Sequence, residues 1–572
     1  MSFTPRAPSS SGLSIAIVGA GPTAVYALAA LQREGRPHHV TLFEAGGQPG
    51  QGIPFTPQNN GAHMLANIAG FELPPVDETL NAWATRQSAD RQAMLGLAGA
   101  AHDDRAFFPR MALGAYYADQ LGRLIAPGAG PCRVDLHCHA EVQDIIARPD
   151  GVRVEWLQGR EAPGGKTQAQ DFDVVIVASG YGKPDVGARL AGASARGAGG
   201  RRVAVLGSSL SAIDAAVELA VRHGTFIEQG DGSLRYIIER PFAVTFLSRG
   251  GLLPEADFWV PDTAPPQRHC TEHALAALVR GEEGDLDRAF ALFVRELAEA
   301  DPAYAQALNL EGLDADSFAG AHFATRMAAD PFAYARENLA EAQASHAQRM
   351  PSPWRHAILR MHEAFATIVP KLAPRDLQRF GQGLKRVFVD NYAAVPHLSV
   401  QRLLALHEAG VLSVQRLGDG HAVARGADGA WTIGGEDRFD DVIDARGQAP
   451  LGLEDFPFPT LRLHICAQAL AQTREWHEGL APSQGHVLDP EDPALSRVHV
   501  LSLPFLLHRH PFIQGLTESA AMARACVAAL GRRPGGGTAP TDAQLHAALD
   551  WLDRTDPIYQ GREVLMVARP SA

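Results

Sequence analysis

A short apolar strand that runs into a glycine-rich turn constrains this chain more than any other feature. Residues 13–18 form the strand, residues 19–24 read G-x-G-x-x-A, and a second strand at 39–43 ends at Glu44. The first glycine allows a tight turn, and Gly21 lets a pyrophosphate approach the backbone where a helix begins. Glu44, about 20 residues further on, can accept hydrogen bonds from a ribose. The pattern predicts a dinucleotide-binding domain rather than a turn without a ligand.

The chain after the second strand is loop-like where a simple nucleotide domain would have a helix. Residues 45–55 contain four glycines, and residues 63–75 (HMLANIAGFELPP) have few helix signals. A long loop of this kind can wrap around a cofactor larger than a nicotinamide nucleotide. We therefore predict a flavin in the first domain.

The same strand–turn–helix pattern occurs a second time, with two changes. An apolar strand meets Gly207-x-Ser209-x-x-Ala212, so serine replaces the central glycine. The following strand ends at Ser248-Arg249, where an NAD site would carry an acid. A hydroxyl and a guanidinium suit a 2′-phosphate, which favours NADPH over NADH. The alternative is a degenerate second domain that holds no nucleotide.

Two further segments resemble the strands that close nucleotide-binding halves. Residues 172–180 end in Ala-Ser-Gly and residues 439–447 end in Ala-Arg-Gly. Between the halves, segments 272–299, 302–310 and 353–372 have helical spacing of apolar residues, and strand-like patterning returns near Leu412.

These patterns predict an α/β fold with two Rossmann-like dinucleotide-binding domains, for FAD and NADPH, and an inserted helical subdomain. The expected division is a first FAD-binding part (1–200), a first NADPH-binding part (201–260), the helical insertion (261–395), a closing NADPH-binding part (396–450) and a C-terminal FAD-binding part (451–572).

Composition limits the function classes. Lys and Arg total 51 and Asp and Glu total 64, so the formal charge is −13, which argues against a nucleic-acid partner. Five widely spaced cysteines form no C-x-x-C pair, which argues against a zinc ribbon and a disulfide reductase. The opening residues MSFTPRAPSS show no secretory signal, and no apolar stretch is long enough to span a membrane. We expect a cytoplasmic protein without a membrane partner; a homo-oligomer stays open.

With these motifs in view, the chain resembles the two-dinucleotide FAD/NAD(P)-binding flavoproteins. The resemblance rests on the two glycine turns, the GxPF loop at 52–55, Phe108-Pro-Arg110, Ser248-Arg249-Gly250 and His510-Pro511. Within that family, Met64–Ala69 followed by Pro74-Pro75 is similar to flavin-dependent N-oxygenases of the nitrosuccinate-synthase type. Ser209 and Ser179, where the family carries glycine and threonine, depart from the pattern.

The finer resemblance implies a monooxygenase that takes FAD, NADPH, O2 and a small amino-acid amine, aspartate-like, in a biosynthetic role. It implies N-hydroxylation through a C4a-hydroperoxyflavin, with Asn67 donating a hydrogen bond and Met64 near the flavin ring as the catalytic candidates. The late helix after His510 would point its N-terminus at the flavin. Two alternatives are an NADPH-dependent flavin oxidoreductase without oxygen insertion and a flavoprotein oxidase or binding protein with a degenerate second site.

The residues predicted to bind the cofactors fall in the turns, loops and strand ends described above. They are Gly19, Gly21, Pro22, Thr23, Ala24, Glu44, Gly50, Gly52, Ile53, Met64, Leu65, Asn67, Arg110, Val142, Ala178, Gly180, Gly207, Ser208, Ser209, Ser211, Ser248, Arg249, Gly447, Gly515, Leu516 and Thr517.

A dicarboxylate substrate would call for arginines that bind it bidentately. The candidates are Arg268, Arg326, Arg336, Arg355, Arg386 and Arg446, and the sequence does not choose among them. The pairs His137/His139 and His508/His510 lack a third ligand at suitable spacing, so no metal is predicted.

Overall fold

The computed structural model describes most of the chain, in a series of segments. These are residues 12–97, 103–159, 166–180, 201–263, 266–281, 283–418, 422–434, 437–447, 450–471, 480, 482, 485–513, 515–530 and 540–555.

The chain divides into two compact units. Unit 1 contains residues 1–57, 68–183 and 449–572, and unit 2 contains residues 58–67 and 184–448. Residues 58–67, which the sequence analysis places in the first FAD-binding part, group with unit 2. The five-part division at its other boundaries stays a prediction.

Unit 1 is built on a five-stranded parallel sheet. Its apolar strands are buried, as expected for a parallel sheet covered on both faces. In spatial order the strands are β19 (Val498–Val500), β9 (Val174–Val177), β1 (Ser14–Val18), β2 (His39–Phe43) and β5 (Arg133–His137). Helix α1 (Pro22–Glu34) connects β1 to β2, and Gly35 in the left-handed conformation ends it.

A three-stranded antiparallel sheet connects β5 to β9. Its strands are β6 (Ala140–Arg148), β7 (Gly151–Gln158) and β8 (Lys166–Phe172). Val152, Val154 and Trp156 alternate along β7 and are buried, so one face of this sheet packs on the core.

The other described elements of this part of the chain are shorter strands and helices. They are β3 (Leu65–Ala69), which runs from unit 2 into unit 1, β4 (Phe107–Pro109), α2 (Leu80–Thr85), α3 (Ala89–Met94), α4 (Arg110–Leu124), and, near the C-terminus, α15 (Pro459–Ala471), α16 (Leu516–Ala529) and α17 (Asp542–Thr555).

Unit 2 repeats the same plan with a four-stranded parallel sheet. The strand order is β14 (Leu412–Arg416), β13 (Phe242–Ser248), β10 (Arg201–Leu206) and β18 (Asp441–Asp444). Helix α5 (Leu210–His223) follows β10. The hairpin β11 (Gly224–Glu228) and β12 (Leu234–Ile238) and the antiparallel strands β15 (Val423–Arg425), β16 (Trp431–Ile433) and β17 (Arg438–Phe439) complete the sheets.

A helical insertion separates β13 from β14. Its helices are α6 (Glu272–Ala276), α7 (Leu286–Ala300), α8 (Pro302–Leu308), α9 (Phe318–Ala328), α10 (Pro331–Gln348), α11 (Pro353–Phe365), α12 (Pro374–Gln382), α13 (Leu384–Tyr392) and α14 (His397–Glu408). The two sheets and this insertion confirm the predicted α/β class and the inserted helical subdomain.

Two predicted helical segments are interrupted. Segment 272–299 is broken between α6 and α7 by a turn in which Gly281 has a φ of +65°. Asp285 then begins a new helix, because its side chain accepts a hydrogen bond from the backbone N–H of Arg288 at 3.0 Å. Segment 353–372 is helical only as far as Phe365 and ends in a short 3₁₀ turn at Val369–Lys371.

A buried ionic cluster joins the insertion to the loop that follows β13. Glu255 accepts hydrogen bonds from Arg355 Nε and Nη2, both at 2.9 Å, and from the Tyr334 hydroxyl at 2.6 Å. Arg326 pairs with Asp390. Burial by itself would raise the pKa of Glu255, but the guanidiniums of Arg355 and Arg326 outweigh burial and hold the pKa below its usual range.

Removing the charge of Glu255 should destabilise the protein strongly. Glu255→Gln leaves two buried guanidiniums undercompensated, so the free energy of unfolding should fall by about 3–5 kcal/mol in urea denaturation. Glu299→Gln removes one partner of an exposed ion pair with Arg268 and should change stability little. Equal, small losses in both variants would contradict the role assigned to the cluster.

Among the described residues, no helix is long and apolar enough to cross a membrane.

Candidate functional site

The first glycine turn lies where β1 meets α1. Gly19 has a φ of +96°, and a Cβ at this position would lie 2.4 Å from the carbonyl oxygen of Ala178, so the turn requires glycine. Gly21 precedes α1 in extended backbone, and Pro22 occupies the first helical position, where a missing N–H costs nothing. The first N–H groups of the helix have no partner inside it, which creates an end suited to an anion.

The residues that follow this turn fix the helix against its neighbours. Ala24 is fully buried, as the predicted close packing of helix on strand requires. Thr23 Oγ1 donates to Ser519 Oγ at 3.1 Å, which joins α1 to α16.

Glu44 lies at the carboxyl end of β2, beside the glycine turn. Its Oε1 accepts the backbone N–H of Gly46 at 2.8 Å, and its Oε2 lies 3.3 Å from the backbone nitrogen of Ala20. The carboxylate is therefore held next to α1, at the position where a ribose-binding acid is expected.

The loop after β2 returns to the same helix end. The Gly50 N–H donates to the carbonyl of Ala20 at 2.7 Å. A Cβ on Gly21 would lie 3.4 Å from Gly52 Cα, so the two backbones come close together. Gln51, between the two loop glycines, has a buried Oε1 that receives no hydrogen bond from the part of the chain that the structure describes. Ile53, in the next short turn, is 40% exposed.

The closing strand β9 ends in a contact that the sequence does not reveal. Ser502, after β19, accepts a hydrogen bond from the Ser179 backbone N–H at 3.0 Å, and the two hydroxyls are 3.1 Å apart. Ser179 therefore has a partner at the position where the resembling family carries threonine. Gly180 follows in the left-handed conformation, with a φ of +61°.

The late helix α16 is capped by its own sequence. The backbone N–H of Gly515 donates to Glu518 Oε2 at 3.0 Å, so this carboxylate already occupies part of the helix start. Leu516 and Thr517 begin the helix, and Thr517 Oγ1 lies 3.5 Å from the carbonyl of Glu72. Glu518 is not among the residues predicted from sequence, although an acid three residues after the capping glycine signals this arrangement.

Two predicted cofactor residues lie elsewhere in unit 1. Arg110 is the first residue of α4 and is partly buried. Val142 lies on β6 opposite Trp156, at a break in the strand register.

The first turn fits an FAD. Glycine is required where β1 meets α1, the backbones at Gly21 and Gly52 approach closely, and Gln51 presents a buried amide oxygen that no described residue satisfies. The residues that would hold FAD in unit 1 are therefore those of the turn, Glu44 and the 50–53 loop.

The second turn keeps the backbone of the first despite its serine. Gly207 has a φ of +113°, and a Cβ there would lie 2.8 Å from the carbonyl oxygen of Ala445. Ser209 precedes α5 in extended backbone and makes no side-chain capping bond. Ser211 lies in the first helical turn, where free N–H groups favour a phosphate.

The residues predicted to recognise a 2′-phosphate differ in exposure. Ser208 Oγ is 3.0 Å from Ser248 Oγ and donates to the carbonyl of Leu252 at 2.5 Å, and Ser248 Oγ accepts the Gly251 N–H at 3.2 Å. Ser248 therefore shapes the turn, whereas Arg249 is exposed at the end of β13. Gly447, after β18, has a φ of +82°.

The predicted catalytic residues lie on the segment that groups with unit 2. Met64 is buried, and its backbone N–H donates to the carbonyl of Gly61 at 3.1 Å. Leu65 begins β3. The Oδ1 of Asn67 is buried and has no hydrogen-bond partner among the described residues. This oxygen can accept a hydrogen bond from a ligand, whereas the donation predicted for Asn67 would come from its amide N–H.

Five of the six candidate substrate arginines already bind carboxylates of the protein. The pairs are Arg268–Glu299, Arg326–Asp390, Arg336–Glu408, Arg355–Glu255 and Arg446–Asp444. The sixth, Arg386, is exposed and lies over the ring of Phe323 at 5.4 Å.

Within the described part of the chain, no group of three or more His, Cys, Asp or Glu side chains could hold a metal ion. The five cysteines are all unpaired thiols.

Comparisons with known proteins agree with this geometry. Residues 16–182 match the FAD-NAD(P)-binding family, and residues 271–392 match the YdhS-like middle domain. The protein YdhS of Escherichia coli strain K12, described as uncharacterized, is 38% identical over 540 residues, which cover 90% of this chain and 97% of YdhS. The chain belongs to the YdhS family. The match over 16–182 confirms the predicted FAD/NAD(P)-binding family and its cofactor classes for this YdhS-family chain.

Solved structures show a more distant likeness. An ornithine N-hydroxylase from Kutzneria sp. 744 is 14% identical, with 91% of this chain and 99% of that chain covered and a TM-score of 0.43. A bacillithiol disulfide reductase from Bacillus cereus is 12% identical, with 90% and 98% covered and a TM-score of 0.40.

Filling the gap between Gly21 and Gly52 should remove FAD without unfolding the chain. Gly21 has a φ of −79°, which alanine adopts easily, so Gly21→Ala adds only a methyl group at the cofactor turn. We expect FAD affinity to fall by at least about tenfold, with an unchanged denaturation midpoint of the FAD-free protein. Gly122→Ala, in α4 with open space around it, is the matched control and should keep its FAD. Equal FAD content in both variants would contradict the assignment of the turn.

Proposed function

We propose that this YdhS-family protein is an FAD-dependent monooxygenase that uses NADPH and O2 to N-oxygenate the amine of a small amino acid. The observation that carries the proposal is the duplication of the nucleotide-binding turn, with a glycine at positive φ and a helix start in each unit. One such turn suits FAD and the other suits a nicotinamide nucleotide. A protein with both can pass electrons from one nucleotide to the other.

The chemistry of the proposed reaction balances with these components. NADPH, a proton, O2 and R–NH2 give NADP+, water and R–NHOH. When bound, FAD supplies the electron transfer and the activation of oxygen. The protein supplies positioning, and we propose Asn67 as the hydrogen-bond donor near the reacting groups, through its amide N–H; its buried Oδ1, which no described residue satisfies, would accept a second hydrogen bond. We keep Met64 as the apolar neighbour because it is buried on the same segment.

The second candidate is an NADPH-dependent flavin oxidoreductase without oxygen insertion. The observation in its favour is that five of the six candidate arginines are paired within the protein. A dicarboxylate substrate would then have to compete with these internal carboxylates. Exposed Arg386 is the remaining candidate of the six for binding an aspartate side chain.

Product analysis distinguishes the two candidates. Purified flavoprotein is supplied with NADPH, O2 and aspartate, and NADPH oxidation, hydrogen peroxide and N-hydroxylated product are measured together. If the protein is a monooxygenase, aspartate should give one hydroxylamine per NADPH oxidised and little hydrogen peroxide. Alanine and glycine, which lack the second carboxylate, are the comparison amines. Peroxide equal to NADPH consumed with every amine would refute oxygen insertion.

Arg249 should set the preference for NADPH. We propose that it binds the 2′-phosphate, so Arg249→Ala should raise the KM for NADPH by at least about tenfold and leave the KM for NADH nearly unchanged. Arg240→Ala is the matched control, because this exposed arginine precedes the opposite end of the same strand. A parallel rise in both KM values would exclude 2′-phosphate recognition by Arg249.

A further inference from the structure

Residues 58–67 group with unit 2, although the residues on both sides of this segment belong to unit 1. The chain passes into unit 2 after Pro57 and back into unit 1 before Ile68. We call residues 58–67 the strap. It carries both proposed catalytic residues, Met64 and Asn67, so their placement depends on what holds the strap to unit 2.

The side chain of His63 binds the strap to α5. His63 Nε2 lies 2.8 Å from Glu218 Oε2, and the two side chains are 20% and 14% exposed. Arg222 Nε donates to the other oxygen of Glu218 at 2.6 Å. The hydrogen bond from His63 is the main cause that lowers the pKa of Glu218, so the carboxylate is ionised at neutral pH. An ionised carboxylate can only accept hydrogen bonds, so His63 Nε2 is the hydrogen-bond donor to Glu218.

The backbone of the same residue is bound from a second helix. Arg402, on α14, donates from Nη1 to the carbonyl oxygen of His63 at 2.8 Å. Burial lowers the pKa of Arg402, and its guanidinium lies over the ring of Phe226 at 6.0 Å. His63 is thus fixed at its ring by one helix and at its carbonyl by another.

A glycine leaves room for this arrangement. A Cβ on Gly61 would lie 2.3 Å from Cε1 of the His63 ring. Any side chain at position 61 would therefore push the imidazole away from Glu218. This contact is independent of the charges on His63 and Glu218.

The helix that binds the strap also begins at the second nucleotide turn. Ser209 directly precedes α5, and Glu218 lies nine residues later on the same helix, about 13 Å along its axis. The same helix would therefore contact a nucleotide at its start and the strap further along.

We infer that His63, Glu218 and Arg402 are positioning residues that couple the second nucleotide turn to the strap and so set the placement of Met64 and Asn67. The inference rests on the proposed function for its catalytic consequence. Its structural part is that a nucleotide bound at the second turn stabilises the strap through His63. This part can be tested without enzymatic turnover.

Backbone hydrogen exchange tests whether nucleotide binding stabilises the strap. In the full-length flavoprotein, NADP+ should slow backbone exchange of a peptide spanning 58–67. His63→Ala should raise exchange of that peptide at least about fivefold and remove the NADP+ effect, because the strap loses its anchor to α5. Gly61→Ala should do the same, and His63→Gln, whose amide can still donate to Glu218, should restore protection. His39→Ala, which breaks a 2.6 Å pair with Asp135 in unit 1, is the control without effect.

Steady-state kinetics measure the catalytic part. His63→Ala should lower kcat and the yield of product per NADPH by about tenfold or more, with a smaller change in the KM for NADPH, because misplaced catalytic groups waste electrons as peroxide. His63→Gln should recover most of the yield.

Each outcome decides the inference. An unchanged exchange rate in His63→Ala, or NADP+ that binds without protecting the strap, overturns it. Raised exchange with wild-type kcat and product yield overturns the positioning role. Wild-type protein that fails to bind NADP+ refutes the proposed function itself, and the positioning role falls with it.

Discussion

The structure depends on a close approach that is repeated in both units, between a turn glycine and the carbonyl oxygen of the neighbouring strand. A Cβ would lie 2.4 Å from the carbonyl of Ala178 at Gly19 and 2.8 Å from that of Ala445 at Gly207. Positive φ at each glycine turns the chain sharply from strand into helix. The helix start then faces the carboxyl ends of the parallel strands, where ligands of such sheets bind. Two nucleotide sites follow from one local constraint used twice.

The two units differ in the residues and segments that accompany the glycine turn. Unit 1 adds the glycine loop and Glu44, which suit FAD, and unit 2 adds Arg249 and the helical insertion. The buried cluster around Glu255 holds the insertion to the sheet. In this cluster, Arg326 and Arg355 form ion pairs with carboxylates of the protein. Arg326 and Arg355 therefore contribute to stability, whereas Arg386 is exposed.

The features predictable from sequence are local, and those that escape it join distant residues. Both turns and their strands follow from glycine spacing and apolar runs. The contact of Ser179 with Ser502 and that of His63 with Glu218 each join residues far apart in the chain, and no sequence pattern marks them. The pairing of Arg355 with Glu255 likewise requires the packed insertion. The break in segment 272–299 was not predicted, although Gly281 is a residue that commonly interrupts a helix.

The central claim is that two nucleotide sites in one chain exchange electrons, and an anaerobic titration of the purified flavoprotein with NADPH tests it most directly. The account predicts that one NADPH per FAD bleaches the visible absorbance of oxidised flavin in the wild type. It also predicts that Gly207→Ala, with its second turn obstructed, keeps its FAD and stays oxidised until dithionite is added. A wild-type protein that stays oxidised with NADPH, or a variant reduced equally well, would contradict the account.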